Sequence, residues 1–405
     1  MSEFNWQPII LTSPLSEKPD LRFDAAIIET PPHHDIFYFW RKLLNQLFNI
    51  EPNKSINTQL KEKMGATSRK SFIDFILNFY MAIFAYPDTE KHWRSFAVKS
   101  VDELFEKENI DAMISVWPIT AHLIGKELKR KYKIPWVADF SHLWSQGYYY
   151  QYGPIRKSFD RRLEIKTLLQ ADALTTISPF FGEKLEKLHK RQPIYSIIHG
   201  FDPSLVNIIP ATLTPKFSIT YTGTLYPEKQ KTSKFFAAVK ELLDSTYIDR
   251  NDIEVSFYGG KYGWLTEEIK QYALSDIIYQ CDVIPHSASI QKQQESQILL
   301  HLGWDDKQIQ GFYSSKIFEY LAAQRPILAI GGASDEVVKD ILSETKAGVY
   351  STEVKDIKDF LERFYLEYKC NGKVTYGGNI EKINKYSHRE MAKKFADILN
   401  QITGR

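Results

Sequence analysis

SSKIFEYLAAQRPILAIGG, residues 314–332, holds a whole unit of the fold. Ser314 and Ser315 are residue types that open helices, because a short hydroxyl can accept an amide hydrogen bond. The run from Lys316 reads as a helix, Arg325-Pro326 stops it, and ILAI follows as a strand that ends on two glycines. Four consecutive apolar residues leave neither strand face for water, as in a parallel strand covered on both sides. Helix, turn and buried parallel strand repeat in a doubly wound α/β sheet.

The same grammar runs along the chain. Apolar runs in the first half are PIILTS (8–13), DAAIIET (24–30), DAMISVW (111–117), PWVADF (135–140), ADALTTIS (171–178) and IYSIIHG (194–200). Those in the second half are SITYTGTL (218–225), IEVSFYG (253–259), IIYQCDVIP (277–285), QILLHLG (297–303) and RPILAIGG (325–332). Amphipathic segments such as HLIGKELKRKY and TSKFFAAVKELL lie between them. The 405 residues exceed one ordinary core, so two domains are expected. FDPSLVNIIPATLTP (201–215), with three prolines and little charge, reads as the linker between them. The expected division is 1–200, 201–386 and a terminal helix within 387–405, which would pack back on the first domain.

With 43% hydrophobic and 25% charged residues the chain is a folded one. Two cysteines without a CxxC pair build no disulfide framework, and a reducing, cytoplasmic setting is the simple reading. Residues 1–200 hold 27 Lys and Arg against 23 Asp and Glu. That small excess does not suggest a nucleic-acid binder and is compatible with a front half touching an anionic membrane. The apolar stretch 72–86 carries Asp74 and Asn78 and is too short to span a bilayer. It reads as core or as an interfacial helix, and KELKRKYK (126–133) as a solvated helix end or a lipid contact.

No GxGxxG, Walker A, HExxH or GxSxG motif occurs, which argues against dehydrogenase, ATPase, zinc-protease and serine-hydrolase chemistry. What remains is the carboxyl ends of the strands. Lys316 and Glu319 share a helix face. A lysine in a helix's first turn, beside open amides, suits a diphosphate, and Glu319 could accept from ribose hydroxyls. The alternative is a solvated ion pair. Gly331 and Gly332 would let a ligand approach the backbone or would form a simple turn. YTGTLYPEKQ (221–230) offers Gly223 and Lys229 as phosphate-binding ingredients. His286 could face a base or sugar or be structural. In the first half His122 and Asp139 are the polar candidates, and a structural role competes for each.

Together these stretches resemble glycosyltransferase family 4. SSKIFEYLAAQRPILAIGG is similar to its donor-site block and YTGTLYPEKQ to its glycine loop. ADALTTISPFFGEKL with IIHGFDP is similar to the end of its first domain and its hinge. PDTEKHW, IPWVADFSHLW and AHLIG resemble a bacterial branch in surface-polysaccharide synthesis. The resemblance implies a GT-B fold, two doubly wound Rossmann-like domains facing a cleft, and a retaining transfer from a UDP- or GDP-linked sugar to a saccharide or lipid-linked acceptor. It implies Glu319 on the ribose, Lys316 and Lys229 on the diphosphate, Gly223, Gly331 and Gly332 close to the donor, His286 near the base, and no required metal or cofactor. Lys316 and Asp139 would carry catalysis, with His122 and Asp139 on the acceptor side. A GT-B nucleotide-sugar epimerase and a non-catalytic binding relative are the competing readings. Gly311 stands where the family commonly has a second glutamate, and Ser141-His142 where the branch has Arg-Asp. FNWQPIILTS resembles the second strand of the family, so the first strand and its glycine loop are expected to be missing and the gene truncated or its start misplaced.

Overall fold

The computed structural model describes residues 1–15, 25–32, 83–148, 150, 152–205, 212–227, 229–306, 310–311, 314–331 and 336–405. The chain divides into two compact units, Met1–Ile197 with Phe395–Arg405, and Ile198–Lys394.

In the first unit β1 (Ile9–Thr12) and β2 (Ala26–Glu29) pair in parallel as a two-stranded sheet. After α1 (Trp93–Phe105), four strands form a second parallel sheet in chain order: β3 (Met113–Ser115), β4 (Trp136–Phe140), β5 (Ala173–Thr176) and β6 (Ile194–Ser196). The crossovers between them are α2 (Ile119–Tyr132), α3 (Gly153–Leu168) and α4 (Pro179–Leu188). β4 and β5 are the most buried, as their continuous apolar runs require. Ser178 caps α4 by accepting from the Phe181 amide, with Pro179 in the first turn where its missing N–H costs nothing.

The second unit is one sheet of six parallel strands. Its elements are β7 (Phe217–Thr222), α5 (Ser233–Asp244), β8 (Ile253–Tyr258), α6 (Gly263–Gln271), β9 (Ile278–Cys281), α7 (His286–Glu295), β10 (Ile298–Leu302), α8 (Lys316–Ala323), β11 (Ile327–Ile330), α9 (Glu336–Thr345) and β12 (Gly348–Ser351). Helices α10 (Val354–Asn371) and α11 (Ile380–Asn384) follow, and the last helix, α12 (His388–Thr403), belongs to the first unit from Phe395 onward. The strand order is β12-β11-β10-β7-β8-β9. One core forms where Phe217, Ile219 and Tyr221 meet Phe235, Phe236 and Val239 of α5 and Phe360 and Leu361 of α10. Each such side chain taken from water contributes roughly 1.5–3 kcal/mol.

β7 alternates Phe217, Ile219 and Tyr221 with Ser218, Thr220 and Thr222, yet all six are buried. The hydroxyls are answered on the other face of the strand. The Gln297 amide donates to Ser218 Oγ at 3.0 Å, Ser296 Oγ to Thr220 Oγ1 at 2.5 Å, and Gln293 Nε2 to Thr222 Oγ1 at 2.9 Å. Buried hydroxyls must find such partners.

Three expectations change. The proposed linker is partly tied down: Phe201 is buried, its amide donates to Tyr386 O at 3.0 Å, and it accepts from the His388 amide at 2.7 Å. IIYQCDVIP is strand only over Ile278–Cys281. β12, short and opened by Gly348, has no counterpart among the expected strands. Most of the apolar stretch 72–86 lies outside the described residues. Among the described residues no helix is long and apolar enough to cross a membrane.

Candidate active site

β7 sits between β10 and β8, so the chain winds outward on one side of β7 and then crosses back to build the other. The carboxyl ends of β7 and β10 flank this reversal, the place where open α/β sheets bind ligands. Gly223 follows β7, and α8, with Lys316 and Glu319 in its first turn, comes after β10.

Gly223 has φ +111°, a backbone state that side chains resist. A Cβ there would lie 2.2 Å from Lys316 Cε. The space over Gly223 is thus filled by the lysine, a different use from the open backbone approach expected of that glycine. Gly259, at the end of β8, has φ +147°, and a Cβ on it would lie 2.2 Å from Gly223 O. The two loops can close on each other because both lack a side chain.

Lys316 Nζ donates to Tyr221 Oη at 3.1 Å and approaches Thr224 O at 3.5 Å. Burial lowers its pKa to about 8, against the opposing pull of Glu319. Tyr221 Oη in turn donates to Thr224 O, and Gln230 Nε2 donates to Leu302 O at 2.7 Å, so loop 223–230 is pinned from below. The first-turn amides of α8 are not open, contrary to the expectation. Lys316 N reaches Ser314 Oγ at 3.3 Å, Ile317 N reaches Ser314 O, and Phe318 N reaches Ser315 O. Any anion here would meet the Lys316 ammonium rather than these amides.

Glu319 Oε2 accepts from Gln293 Nε2 at 3.0 Å, and Oε1 lies 3.3 Å from His286 Nε2. The Glu319 side chain is 27% exposed and His286 69% exposed. Gln293 itself is buried and also holds Thr222, whose amide donates to Tyr320 Oη at 3.0 Å. Glu319 is therefore an oriented carboxylate with one edge toward solvent. Sequence reading missed Gln293, Thr222, Tyr221 and Tyr320, because nothing in chain order marks ordinary core residues as supports.

His301 of β10 was also missed. It is buried, neither ring nitrogen has a hydrogen-bond partner, and burial with the nearby Lys316 charge lowers its pKa to about 3. It is neutral at any ordinary pH.

Lys229 Nζ lies 4.7 Å from the centre of the Trp304 ring, a cation–π contact on the loop. Gly331 follows β11, its amide 3.4 Å from Ser351 O. Gly332 lies outside the described residues.

The remaining candidates, Asp139 and His122, belong to the first unit. Asp139 is on β4, with Thr175 Oγ1 donating to its carboxylate at 2.5 Å, and burial raises its pKa to about 6. His122 of α2 is in the core, stacked on Phe140 with Nδ1 2.8 Å from Ser115 Oγ. Burial lowers its pKa to about 3, and its Nε2 has no partner. Within KELKRKYK, Lys129 pairs with Asp172 at 2.7 Å and Lys131 with Asp102 at 2.6 Å. Among the described residues no three His, Cys, Asp or Glu side chains gather as a metal site.

Residues 74–205 match the family model described as Glycosyltransferase Family 4. No curated protein matches the chain in sequence. Among solved structures the chain is similar to sucrose-phosphate synthase from Thermosynechococcus elongatus, at 12% identity over 78% of this chain and 79% of that one, with a TM-score of 0.55. It is similar to a glycosyltransferase from Rickettsia africae at 14% identity over 98% of each chain, TM-score 0.54. It is similar to Anabaena Alr3699/HepE, solved in complex with UDP, at 10% identity over 98% of this chain and all of that one, TM-score 0.55. These likenesses identify the fold as GT-B, built from Rossmann-like domains.

Proposed function

We propose that the chain is a GT4-like glycosyltransferase, supported by the match of residues 74–205 and by the GT-B fold, and that it transfers a sugar from a nucleotide-sugar donor with retention. The observation that carries the reading is the pairing of Lys316 and Glu319 on the first turn of α8, beside Gly223 at the reversal of the sheet. Lys316 would face the diphosphate. Its neutral partners, Tyr221 Oη and Thr224 O, orient the ammonium without cancelling its charge. In the transition state that charge would stabilise the leaving diphosphate, which is electrostatic catalysis. Glu319, held by Gln293 and His286, would accept from the ribose hydroxyls, with His286 near the base. Lys229, on the loop after β7, would add charge at the phosphates, and Gly331 would border the donor. Asp139, with its raised pKa, would orient or deprotonate an acceptor hydroxyl.

The acceptor would be a saccharide or a lipid-linked saccharide, in cell-surface polysaccharide assembly at the cytoplasmic side. No metal is needed in this scheme, because Lys316 supplies the countercharge. UDP is the first nucleotide to test, since Alr3699/HepE was solved with it. Calorimetric titration with UDP, GDP and their sugars should give saturable binding to one nucleotide series. Transfer followed by NMR should give a product with the donor's anomeric configuration. Absence of binding to all of them would overturn the donor-site reading, and isomerisation of the donor without transfer would replace it with an epimerase.

A further inference from the structure

Helix α3 is built inside out. Its only acids, Asp160 and Glu164, are 2% and 0% exposed, and Arg156 is buried beside them. Arg156 Nε donates to Asp160 Oδ2 at 2.9 Å and Nη2 to Pro87 O at 2.9 Å. Glu164 accepts from the Ser145 amide at 3.0 Å and meets His189 Nε2 at 3.3 Å. The outward face is left with apolar and basic residues. Ile155 is 76% exposed and Phe159, one turn on, 54%; Ile165 is 37% exposed and Leu169, just past the helix, 49%. Lys157, Arg161, Arg162 and Lys166 are exposed with them, and no exposed acid of the helix is present. At 100° per residue, Ile155, Phe159, Arg162, Lys166 and Leu169 fall on one stripe.

The neighbourhood extends the pattern. The Tyr86 hydroxyl reaches Phe159 O at 3.5 Å, which brings the segment with Ile83, 51% exposed, beside α3. At the other end Lys166 lies close to Lys126 of α2. Burial holds the Lys126 pKa down, and the charges of Lys166, Arg94 and Arg130 press it further. Of these, Arg94 is answered by Glu127 at 2.7 Å.

A lone exposed apolar side chain is ordinary. Four of them interleaved with four cations and no anion is the composition of a helix that lies in a membrane interface. There the cations reach headgroup phosphates on their long stems while the apolar tips meet the acyl boundary. A negative surface also relieves the crowding of like charges, which a neutral partner would not. We propose that the outward face of α3, flanked by Lys126 and Arg130, docks the first unit on an anionic bilayer surface. This face is distinct from the donor site, and the proposal stands without it.

The test is co-sedimentation of the full chain with vesicles of phosphatidylcholine, alone or with about a third phosphatidylglycerol, at low and high salt. Binding is expected only to the anionic vesicles and should weaken with salt. The pair Arg162→Glu and Lys166→Glu should weaken it about 25-fold or more, at about fivefold per charge removed. The pair Ile155→Ser and Phe159→Ser should weaken it on the order of tenfold. Lys261→Glu, on the second unit, should leave it unchanged. All these side chains are exposed, so the melting temperature and the nucleotide titration should not move. Equal binding to both vesicle types, no binding to either, or full binding by both double variants would overturn the proposal. So would a dimer in sedimentation velocity that the serine pair abolishes, which would assign the face to a second copy.

Discussion

Two regions of this molecule bury charge, and they treat it differently. Inside α3 of the first unit, buried Arg156 meets buried Asp160. At the sheet reversal of the second unit, Lys316 is held by a tyrosine hydroxyl and a carbonyl. An ion facing its counterion has little field left for a ligand. One held by neutral dipoles keeps its charge available. Buried charge alone therefore does not mark a site; the neutrality of what holds it does.

The largest test of this contrast is Asp160→Ala. It leaves Arg156 buried without its counterion and should cost about 3–5 kcal/mol in denaturant unfolding. A loss near zero would show that the α3 pair is no structural bond. Lys316→Met should instead spare the fold and reduce kcat/KM for transfer by about 10²–10³. A lowered melting temperature with unchanged kcat would put Lys316 in the structural class. Glu319→Ala should weaken nucleotide affinity about 10- to 100-fold by calorimetry, the worth of hydrogen bonds to a charged group.

Gly223→Ala would force a side chain to φ +111° against Lys316 and should lower activity about tenfold, with a loss of about 1–2 kcal/mol in stability. The smallest effect is in pH. Lys316 is charged below its pKa of about 8, so diphosphate affinity should be level under that pH and fall above it. Half a unit above, it should be down about fourfold, provided the neutral amine does not bind. The Lys316→Met variant should lose this dependence.

Legibility followed the same division. The strands of the second unit could be read because a parallel strand covered on both faces leaves a continuous apolar run, as ILAI does. β7 hid half its nature: its Ser-Thr-Thr alternation resembles a strand wet on one face, and only Ser296, Gln297 and Gln293 make that face dry. Lys316 and Glu319 stood out through their place between strand and helix and through a family resemblance. Their supports come from positions up to 95 residues away in the chain, as with Tyr221 and Lys316. No spacing rule reaches that far.

The sequence by itself determined the α/β grammar, the strand-bearing runs and the residue types at the candidate donor site. Apolar periodicity, proline stops and glycine ends are local, and local sterics enforce them. The tertiary structure decided which charges are answered and which are left open. It buried the acids of α3 together with Arg156 and turned the other four cations outward. It filled the space over Gly223 with Lys316, and it left His122 in the core while aiming Glu319 at solvent. Those outcomes depend on what packs against each side chain, and packing partners are chosen by the fold.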